Sequence, residues 1–271
     1  MPKILSVKLN SGFSLPTLGL GTYKSAPGSE TENAVKWALV AGYRLIDTAA
    51  YYGNEGSVGK AVRESSIPRH EIFITTKLWN SDHAIVEKAF EGSLSLLNSG
   101  YIDLYLIHWP IVRVRVQTWK RMEKLIAGGK IKSIGVANFM IRHLEDLLAN
   151  TEIIPAVNQV EFSPYVYNKE LLDYCKKKGI QLQAYSPLTR GNKLSDEKLL
   201  ALSKKYSKSP AQILLRWCIQ HDVAVIPKSV HEGRIIENSQ IFDFELSKQD
   251  MDLMDSWNEG FRVAPDPNQY R

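Results

Sequence analysis

Long apolar runs and cysteine are both scarce in this chain of 271 residues. Its longest apolar runs, such as 104–107 and 223–227, are far shorter than the roughly 20 residues that a membrane-spanning helix needs, so no membrane segment is expected. The first residues lack the apolar stretch of a secretory signal, which makes the cytoplasm the expected location. The two cysteines, Cys175 and Cys218, fall in amphipathic helical patterns, and we expect buried thiols instead of a disulfide.

Blocks of positive charge and clusters of metal ligands are also missing. The net charge is +5, but Lys and Arg are scattered with no run of five or more, so no nucleic-acid partner is expected. The six histidines are dispersed, without an H-x-H pair or clustered carboxylates, so no metal site is expected. This argues against one alternative, a metal-dependent barrel hydrolase or isomerase. Some of the excess charge is available for one small anionic ligand.

Linkers and low-complexity tracts are absent, and the length alone allows either one α/β barrel or two smaller domains. What the chain does contain is an alternation of apolar strand-like runs and amphipathic helix-like stretches, which is typical of a parallel sheet. Eight β/α units in this length favour a single (β/α)8 TIM barrel domain over 1–271 instead of an open doubly wound sheet. The candidate strands are 17–22, 43–48, 72–77, 103–109, 133–138, 155–160, 180–186 and 223–229.

Turn and helix signals fill the segments between these strands. Residues 4–15, with the turn Asn10-Ser11-Gly12, predict an N-terminal β-hairpin that plugs one end of the barrel. Two capping-box spacings, Ser29 with Glu32 and Ser209 with Gln212, mark helix starts. Other helix signals are Pro210 at a first helical position, the apolar stripe Val86, Phe90, Leu94 and Leu97, and amphipathic stretches at 195–206, 209–221, 231–239 and 247–257.

Polar residues end seven consecutive candidate strands. Because barrel active sites lie at the carboxyl ends of the strands, we expect these side chains to share one mouth. Alone, each has an ordinary explanation as a helix cap, a solvated charge or a core histidine. Together they favour a functional cluster, since buried Asp and Lys are rare unless paired. In chain order they are Asp47, Lys77, His108, Asn138, Gln159, Tyr185 with Ser186, and Lys228 with Ser229.

At these strand ends the sequence resembles the aldo-keto reductase family, over essentially its whole length. It is most similar to short-loop bacterial-type reductases such as methylglyoxal/glyoxal reductase and 2,5-diketo-D-gluconate reductase. The resemblance implies an NADPH/NADP+-dependent monomeric enzyme that reduces small carbonyl compounds. It rests on eight motifs in the family's order: Gly19-Leu-Gly-Thr-Tyr23, Asp47-Thr-Ala-Ala-Tyr-Tyr-Gly-Asn-Glu55, Thr76-Lys-Leu-Trp79, Leu106-Ile-His-Trp-Pro110, Ile134-Gly-Val-Ala-Asn-Phe139, Asn158-Gln-Val-Glu161, Ala184-Tyr-Ser-Pro-Leu188 and Ile226-Pro-Lys-Ser229.

The resemblance implies a catalytic tetrad of Asp47, Tyr52, Lys77 and His108. Tyr52 would give a proton to the carbonyl oxygen as hydride reaches the carbon. A free phenol has a pKa near ~10, so we expect the Lys77 cation to lower the pKa of Tyr52, and Asp47 to hold Lys77 charged. His108 would donate a hydrogen bond that orients the carbonyl. Tyr51 remains an alternative acid, since the sequence does not decide which ring points inward.

The cofactor is expected outside the Rossmann mode, because Gly19-Leu-Gly21 does not continue as G-x-G-x-x-G and no P-loop occurs. By resemblance, Lys228, Ser229 and Arg234 would bind the adenosine 2′-phosphate, and Arg234 favours NADPH over NADH. Ala137 stands where relatives usually carry Ser, which removes a hydrogen bond worth roughly 0.5–1.5 kcal/mol. The other cofactor contacts implied are Glu237 and Asn238 near adenine, Asn138 and Gln159 on the carboxamide, Tyr185 on the nicotinamide ring, and Gly21, Thr22, Ser186 and Leu188.

Aromatic residues next to the tetrad, Tyr23, Trp79 and Trp109, are expected to line the substrate pocket. The segments 111–118 and 258–271 are short, which predicts an open pocket for small aldehydes, ketoaldehydes and keto-sugars, unless 111–116 folds over the mouth. An alternative from another class is a non-catalytic cofactor-binding subunit or structural protein on the same fold, because fold does not establish function.

Overall fold

The computed structural model describes residues 5–270, and its centre is a barrel of eight short parallel strands. The strand residues are mostly buried on both faces because helices cover the outside and side chains fill the inside. Two strands form a separate N-terminal hairpin, β1 (Ser6–Lys8) and β2 (Ser14–Pro16). The barrel strands are β3 (Leu20–Gly21), β4 (Leu45–Asp47), β5 (Phe73–Leu78), β6 (Ile102–Ile107), β7 (Ile131–Ala137), β8 (Val157–Glu161), β9 (Gln181–Tyr185) and β10 (Ala224–Val225).

The strands β3 to β10 lie in sequence order, each parallel to the next. The two edges meet through the bridges Leu18–Val225 and Gly21–Lys228, which close the barrel. At this seam a Cβ on Gly21 would lie 2.7 Å from the Ile226 carbonyl oxygen, so the two edges approach this closely only because residue 21 is glycine. The predicted (β/α)8 fold is confirmed, although β3, β4 and β10 are shorter than expected.

The N-terminal hairpin of β1 and β2 closes the amino end of the barrel, as predicted. Its turn contains Gly12 at a φ of 87°, and the buried Leu9 and Leu15 extend into the apolar barrel interior. The Asn10 amide donates to the Pro155 and Gly179 carbonyls at 3.1 Å each, just before β8 and β9. Residue 4, the predicted start of the hairpin, lies outside the described residues.

Ten α-helices occur in the described part of the chain, and they pack around the barrel. In the predicted stripe of α3, Val86, Phe90 and Leu97 are buried and Leu94 is half-buried. None of these helices has the length and apolar character needed to cross a bilayer. They are α1 (Ser29–Val40), α2 (Glu55–Arg63), α3 (Val86–Leu97), α4 (Arg115–Ile126), α5 (Ile141–Asn150), α6 (Lys169–Lys178), α7 (Glu197–Tyr206), α8 (Pro210–Gln220), α9 (Glu232–Ser239) and α10 (Lys248–Asp255).

The two predicted capping boxes have different outcomes. Ser209 and Gln212 form the box at the start of α8, and Pro210 is its first residue, as predicted. The box of Ser29 with Glu32 is wrong, because Gly28 is the N-cap of α1 and Ser29 is already helical. Gly28 adopts a φ of 87°, a conformation that glycine favours, and the cap of α1 therefore lies one residue earlier than the predicted cap Ser29. Both cysteines are buried and form no disulfide, as expected.

Candidate active site

Three adjacent strands deliver the ionisable residues to one mouth of the barrel. Asp47 ends β4, Lys77 lies one residue before the end of β5, and His108 follows β6 directly. Because β4, β5 and β6 are parallel neighbours, their carboxyl ends meet at the same edge. The three residues are buried, with exposed fractions of 2%, 0% and 8%.

The Lys77 ammonium is fully hydrogen-bonded within the protein. It donates to Asp47 Oδ1 at 2.6 Å, to the Thr48 carbonyl at 2.8 Å and to Tyr52 Oη at 3.3 Å. An ammonium has three protons to donate, whereas a neutral amine has two. The three oxygens around Nζ therefore match the charged form of Lys77.

Tyr52 and Tyr51 lie in the short turn Ala50–Tyr52 after β4, and their rings have different surroundings. The Tyr52 hydroxyl contacts Lys77 Nζ, and its ring lies 5.7 Å from that of His108. Tyr51 is 54% exposed and stacks on Trp79 with ring centroids 3.8 Å apart. The structure therefore brings Tyr52, not Tyr51, to the ammonium.

Burial raises the pKa of the Tyr52 phenol well above 10.0, and the negative charge of Asp47 raises it further. The net direction is therefore opposite to the one expected from the Lys77 cation alone. The reason is that Asp47 lies 2.6 Å from the Lys77 nitrogen and offsets its charge, so desolvation has the larger effect. Tyr52 consequently keeps its proton at neutral pH.

The Asp47–Lys77 pair is subject to opposing effects. Burial raises the pKa of Asp47 and lowers that of Lys77, while their mutual attraction opposes both shifts. Gln159 supports the carboxylate, because its Nε2 donates to Asp47 Oδ2 at 2.7 Å. Glu55, at the start of α2, is also buried and raises the pKa of Lys77 through its charge.

Sequence reasoning assigned no role to Glu55 or to Asn54, although both lie in a quoted motif. Glu55 accepts a hydrogen bond from the Thr76 hydroxyl, next to Lys77. Asn54 accepts from the Thr48 hydroxyl at 2.7 Å, and its amide donates to the Thr22 carbonyl at 2.9 Å. The signal that could have identified them is a pair of polar residues at a helix start, one glycine after the tyrosines. Asn54 holds the loop after β3 and the loop after β4, and Glu55 bonds to β5 next to Lys77.

His108 is held as a neutral imidazole. Burial and the nearby Lys77 charge lower its pKa well below 6.5. Its Nδ1 atom is buried without a hydrogen-bond partner in residues 5–270. Any polar contact of this ring with a bound molecule therefore falls to Nε2. The Trp79 ring packs edge-on against the imidazole, with ring centroids 5.0 Å apart.

The ends of β7, β8 and β9 carry a connected polar network. Asn138 Nδ2 donates to the His108 carbonyl at 2.9 Å, and the Tyr185 hydroxyl donates to Asn138 Oδ1 at 2.8 Å. Asn138 and Ser186 have positive φ angles of 65° and 48°, which are uncommon for residues other than glycine. Such backbone strain clusters at functional sites. Leu188 lies half-buried in the same turn after β9, directly before Thr189, which also has a positive φ.

Two predicted cofactor residues have structural tasks in the loop after β3. The Thr22 hydroxyl donates to the Asp47 carbonyl at 2.9 Å, and its backbone amide bonds to the same oxygen at 3.0 Å. Gly21 permits the close seam of the barrel described above. Both features position the strand that carries Asp47.

A second group of predicted residues lies around the start of α9. Lys228 and Arg234 are exposed, and neither forms an ion pair with a carboxylate of the described chain. Ser229 accepts a hydrogen bond from the His231 amide at 3.1 Å, and no side chain caps the amides that begin α9. Free cations beside uncapped helix amides are a suitable donor set for a phosphate.

The residues predicted near adenine lie farther along α9. Glu237 accepts a hydrogen bond from the Ser209 hydroxyl at the start of α8, and Asn238 is buried. Glu237 therefore bonds α9 to the start of α8, and its contact with adenine stays a prediction.

The predicted substrate residues lie around Tyr52 and His108. Tyr23 is half-exposed with its ring 5.0 Å from that of Tyr52, and Trp79 adjoins His108. Trp109 is nearly buried, because the ring of Tyr270 in the C-terminal tail packs 5.3 Å away. The short tail thus borders the mouth on the side of Trp109, and the open pocket stays a prediction.

The segment 111–116 leads into α4, which begins at Arg115. Arg115 Nε contacts Asp146 Oδ2 at 2.7 Å. This ion pair joins the start of α4 to α5.

Comparison with known proteins places this chain among described relatives. The model of the Aldo/keto reductase family matches residues 17–259. The glyoxal reductase of Bacillus subtilis is 52% identical over 266 residues, which cover 97% of this chain and 96% of the relative. The methylglyoxal reductase DkgA of Escherichia coli is 44% identical over 268 residues, or 97% of each chain. The crystal structure of a Bombyx mori aldo-keto reductase in complex with NADP superposes with a TM-score of 0.92 at 36% identity, over 99% of this chain and 97% of the other.

Proposed function

The chain belongs to the aldo/keto reductase family, and on this basis we propose that it reduces small aldehydes, ketoaldehydes and ketones to alcohols in an NADPH-dependent reaction with Tyr52 as the general acid. The relatives named glyoxal reductase and methylglyoxal reductase support this substrate class. The observation that carries the proposal is the position of Lys77 Nζ, 2.6 Å from Asp47 Oδ1 and 3.3 Å from Tyr52 Oη. We further propose that the one barrel is the whole catalytic domain.

Tyr52 supplies the proton that completes the reduction. Its raised pKa keeps the hydroxyl protonated at neutral pH. NADPH, when bound, supplies the hydride for the carbonyl carbon. As the carbonyl oxygen gains negative charge it becomes a stronger base than a phenolate, and the Tyr52 proton moves to it. The phenolate left behind is stabilised by the Lys77 ammonium, which already contacts Oη.

His108 orients the carbonyl by a hydrogen bond from Nε2–H. The imidazole is neutral, and its Nδ1 lacks a partner in the described part of the chain, so Nε2 is the nitrogen that serves the pocket. A donor aimed at an oxygen on which charge develops stabilises the transition state. Asp47 keeps Lys77 protonated, and Glu55 adds a second negative charge nearby.

The cofactor would be held along the ends of β7 to β10. Lys228, Ser229 and Arg234 would bind the 2′-phosphate, with Glu237 and Asn238 beside adenine. Asn138, Gln159 and Tyr185 would hold the nicotinamide end, since Tyr185 and Asn138 are hydrogen-bonded next to His108 and Gln159 is hydrogen-bonded to Asp47. The unpaired charges of Lys228 and Arg234 support NADPH as the preferred nucleotide.

The test is a panel of carbonyl substrates with NADPH, in which the loss of NADPH absorbance reports turnover. Wild type should reduce methylglyoxal and glyoxal, and Tyr52→Phe should reduce turnover by about 100-fold or more while binding NADPH normally. Tyr51→Phe is the matched control and should retain turnover. NADPH binding without turnover of any carbonyl would favour a non-catalytic cofactor-binding protein instead.

A further inference from the structure

The C-terminal tail, residues 258–270, follows α10 and runs along one side of the barrel mouth. Near its start, the amides of Glu259 and Phe261 donate to the Tyr165 carbonyl at 3.3 and 3.0 Å. At its end, the Tyr270 ring packs against Trp109. Tyr165 follows β8 and Trp109 follows β6, so the tail spans the carboxyl ends of β8, β7 and β6.

Glu161, the last residue of β8, fastens the middle of this tail. Its Oε1 accepts the Val263 amide at 2.6 Å and its Oε2 accepts the Ala264 amide at 3.2 Å. The residue is 6% exposed and forms no ion pair with another described residue. A buried carboxylate is costly unless it is hydrogen-bonded, so the carboxylate and the two tail amides stabilise each other.

Glu161 is also coupled to the catalytic end of the barrel by its strand. Side chains two residues apart in a strand share a face, so Glu161 lies on the same face of β8 as Gln159, which donates to Asp47. In the register of the sheet Glu161 pairs with Tyr185 of β9. A short rigid strand therefore connects the tail anchor with the residues that hold the tetrad.

The end of the tail has a separate anchor at the start of α5. His143 Nδ1 accepts the Met140 amide at 3.0 Å, which leaves Nε2–H to donate to the Tyr270 carbonyl at 2.6 Å. Burial lowers the pKa of His143 to about 4, so this neutral tautomer persists at pH 7. Arg142 donates to the Asn268 carbonyl at 2.6 Å. The tail is therefore held at two places, in its middle by Glu161 and at its end, where the Tyr270 ring meets Trp109, by His143 and Arg142.

We propose that Glu161 is a positioning residue that holds the C-terminal tail as a wall of the carbonyl-substrate pocket, beside Trp109. Release of Val263 and Ala264 would loosen the middle of the tail, so that Tyr270 would be held beside Trp109 only by the bonds to His143 and Arg142. The wall would then be less well positioned, which would weaken substrate binding without removing any group that reacts. The identity of the substrate rests on the proposed function, but the anchoring of the tail does not.

The experiment compares wild type, Glu161→Gln and Glu123→Gln. Glu123 is a matched control, because its carboxylate also accepts two backbone amides, those of Glu152 and Ile153, but away from the mouth. Hydrogen exchange of the peptide 258–270 should increase in Glu161→Gln, since an amide replaces one charged acceptor oxygen with a donor. In Glu123→Gln the faster exchange should be confined to the residues around 152–153.

Kinetics then separate positioning from general structure. For Glu161→Gln the KM for methylglyoxal should rise about tenfold with kcat within about twofold, the signature of lost binding, and NADPH affinity should not change. Tyr270→Ala, which leaves the carboxylate in place, should produce the same KM effect and serves if Glu161→Gln folds poorly. Faster tail exchange with an unchanged KM would overturn the proposal, as would unchanged exchange. If wild type reduces no carbonyl compound, the proposed function fails while the exchange data still test the anchor.

Discussion

Lys77 Nζ and Asp47 Oδ1 lie 2.6 Å apart, and both side chains are buried. The pair connects β4 with β5 at the mouth, and it is the only ion pair of the described chain in which both partners are almost fully buried. Breaking such a pair by removing one partner is far more harmful than removing a surface pair, because a charge is left buried and alone.

Asp47→Asn should therefore lower both stability and activity. Loss of the carboxylate leaves the Lys77 ammonium unpaired, at a cost of about 3–5 kcal/mol in the free energy of unfolding. It also lowers the pKa of Lys77 further, so the tyrosine loses its cation. Urea unfolding and turnover of methylglyoxal measure the two effects. Asp173→Asn, which breaks an exposed pair with Lys169, should change neither, and equal stability of the two variants would contradict this account.

The pH dependence of reduction follows from Tyr52 and His108. In the proposed mechanism Tyr52 must be protonated, the form present below its pKa, which lies well above 10.0. His108 must be neutral, the form present above its pKa, which lies well below 6.5. Between pH 6.5 and 10 both groups keep the required form, so we expect kcat/KM for reduction to be constant over this range.

The reverse reaction should behave differently, because Tyr52 must then accept a proton. Alcohol oxidation should become faster as pH rises through the same range. A pH profile of kcat/KM in each direction measures this. A fall in reduction within this range would contradict the expectation, because it would mean that Tyr52 or Lys77 loses its proton below pH 10.

Arg234→Ala should discriminate between the two nicotinamide nucleotides. A charge-assisted hydrogen bond to the 2′-phosphate is worth about 1.5–3 kcal/mol, so the Kd for NADPH should rise about tenfold to a hundredfold. NADH lacks this phosphate, and its Kd should not change. Titration of protein fluorescence measures both constants. Arg121→Ala, at the ion pair with Glu87, is the control, and equal losses for both nucleotides would remove Arg234 from the phosphate site.

Gly21→Ala should destabilise the barrel at its closing seam. The new methyl group would lie 2.7 Å from the Ile226 carbonyl oxygen, which is backbone and cannot move aside easily. Overpacking of this kind costs about 1–3 kcal/mol. Gly56→Ala in α2 has nothing within 4 Å of the new group and should stabilise by about 0.5–1 kcal/mol, since alanine favours helix. Urea unfolding compares the two, and similar midpoints would argue against a tight seam.

Much of the fold and site could be predicted because the relevant patterns are local. Alternating strand and helix periods predicted the eight β/α units, and polar residues at strand ends predicted that Asp47, Lys77 and His108 meet. The capping box at Ser209 was found by the same local reasoning, whereas the one at Ser29 failed because Gly28 begins the turn earlier. Expectations of a monomer and of a cytoplasmic location stay predictions.

The sequence by itself determined the order of the elements and the residue types at the mouth, since periodicity and spacing depend on neighbouring residues. Only the tertiary structure decided that Tyr52 and not Tyr51 contacts Lys77, that burial raises the pKa of Tyr52, and that Glu161 holds the amides of residues about one hundred positions away. Desolvation and long-range hydrogen bonds arise from packing between distant segments. No local pattern contains that information.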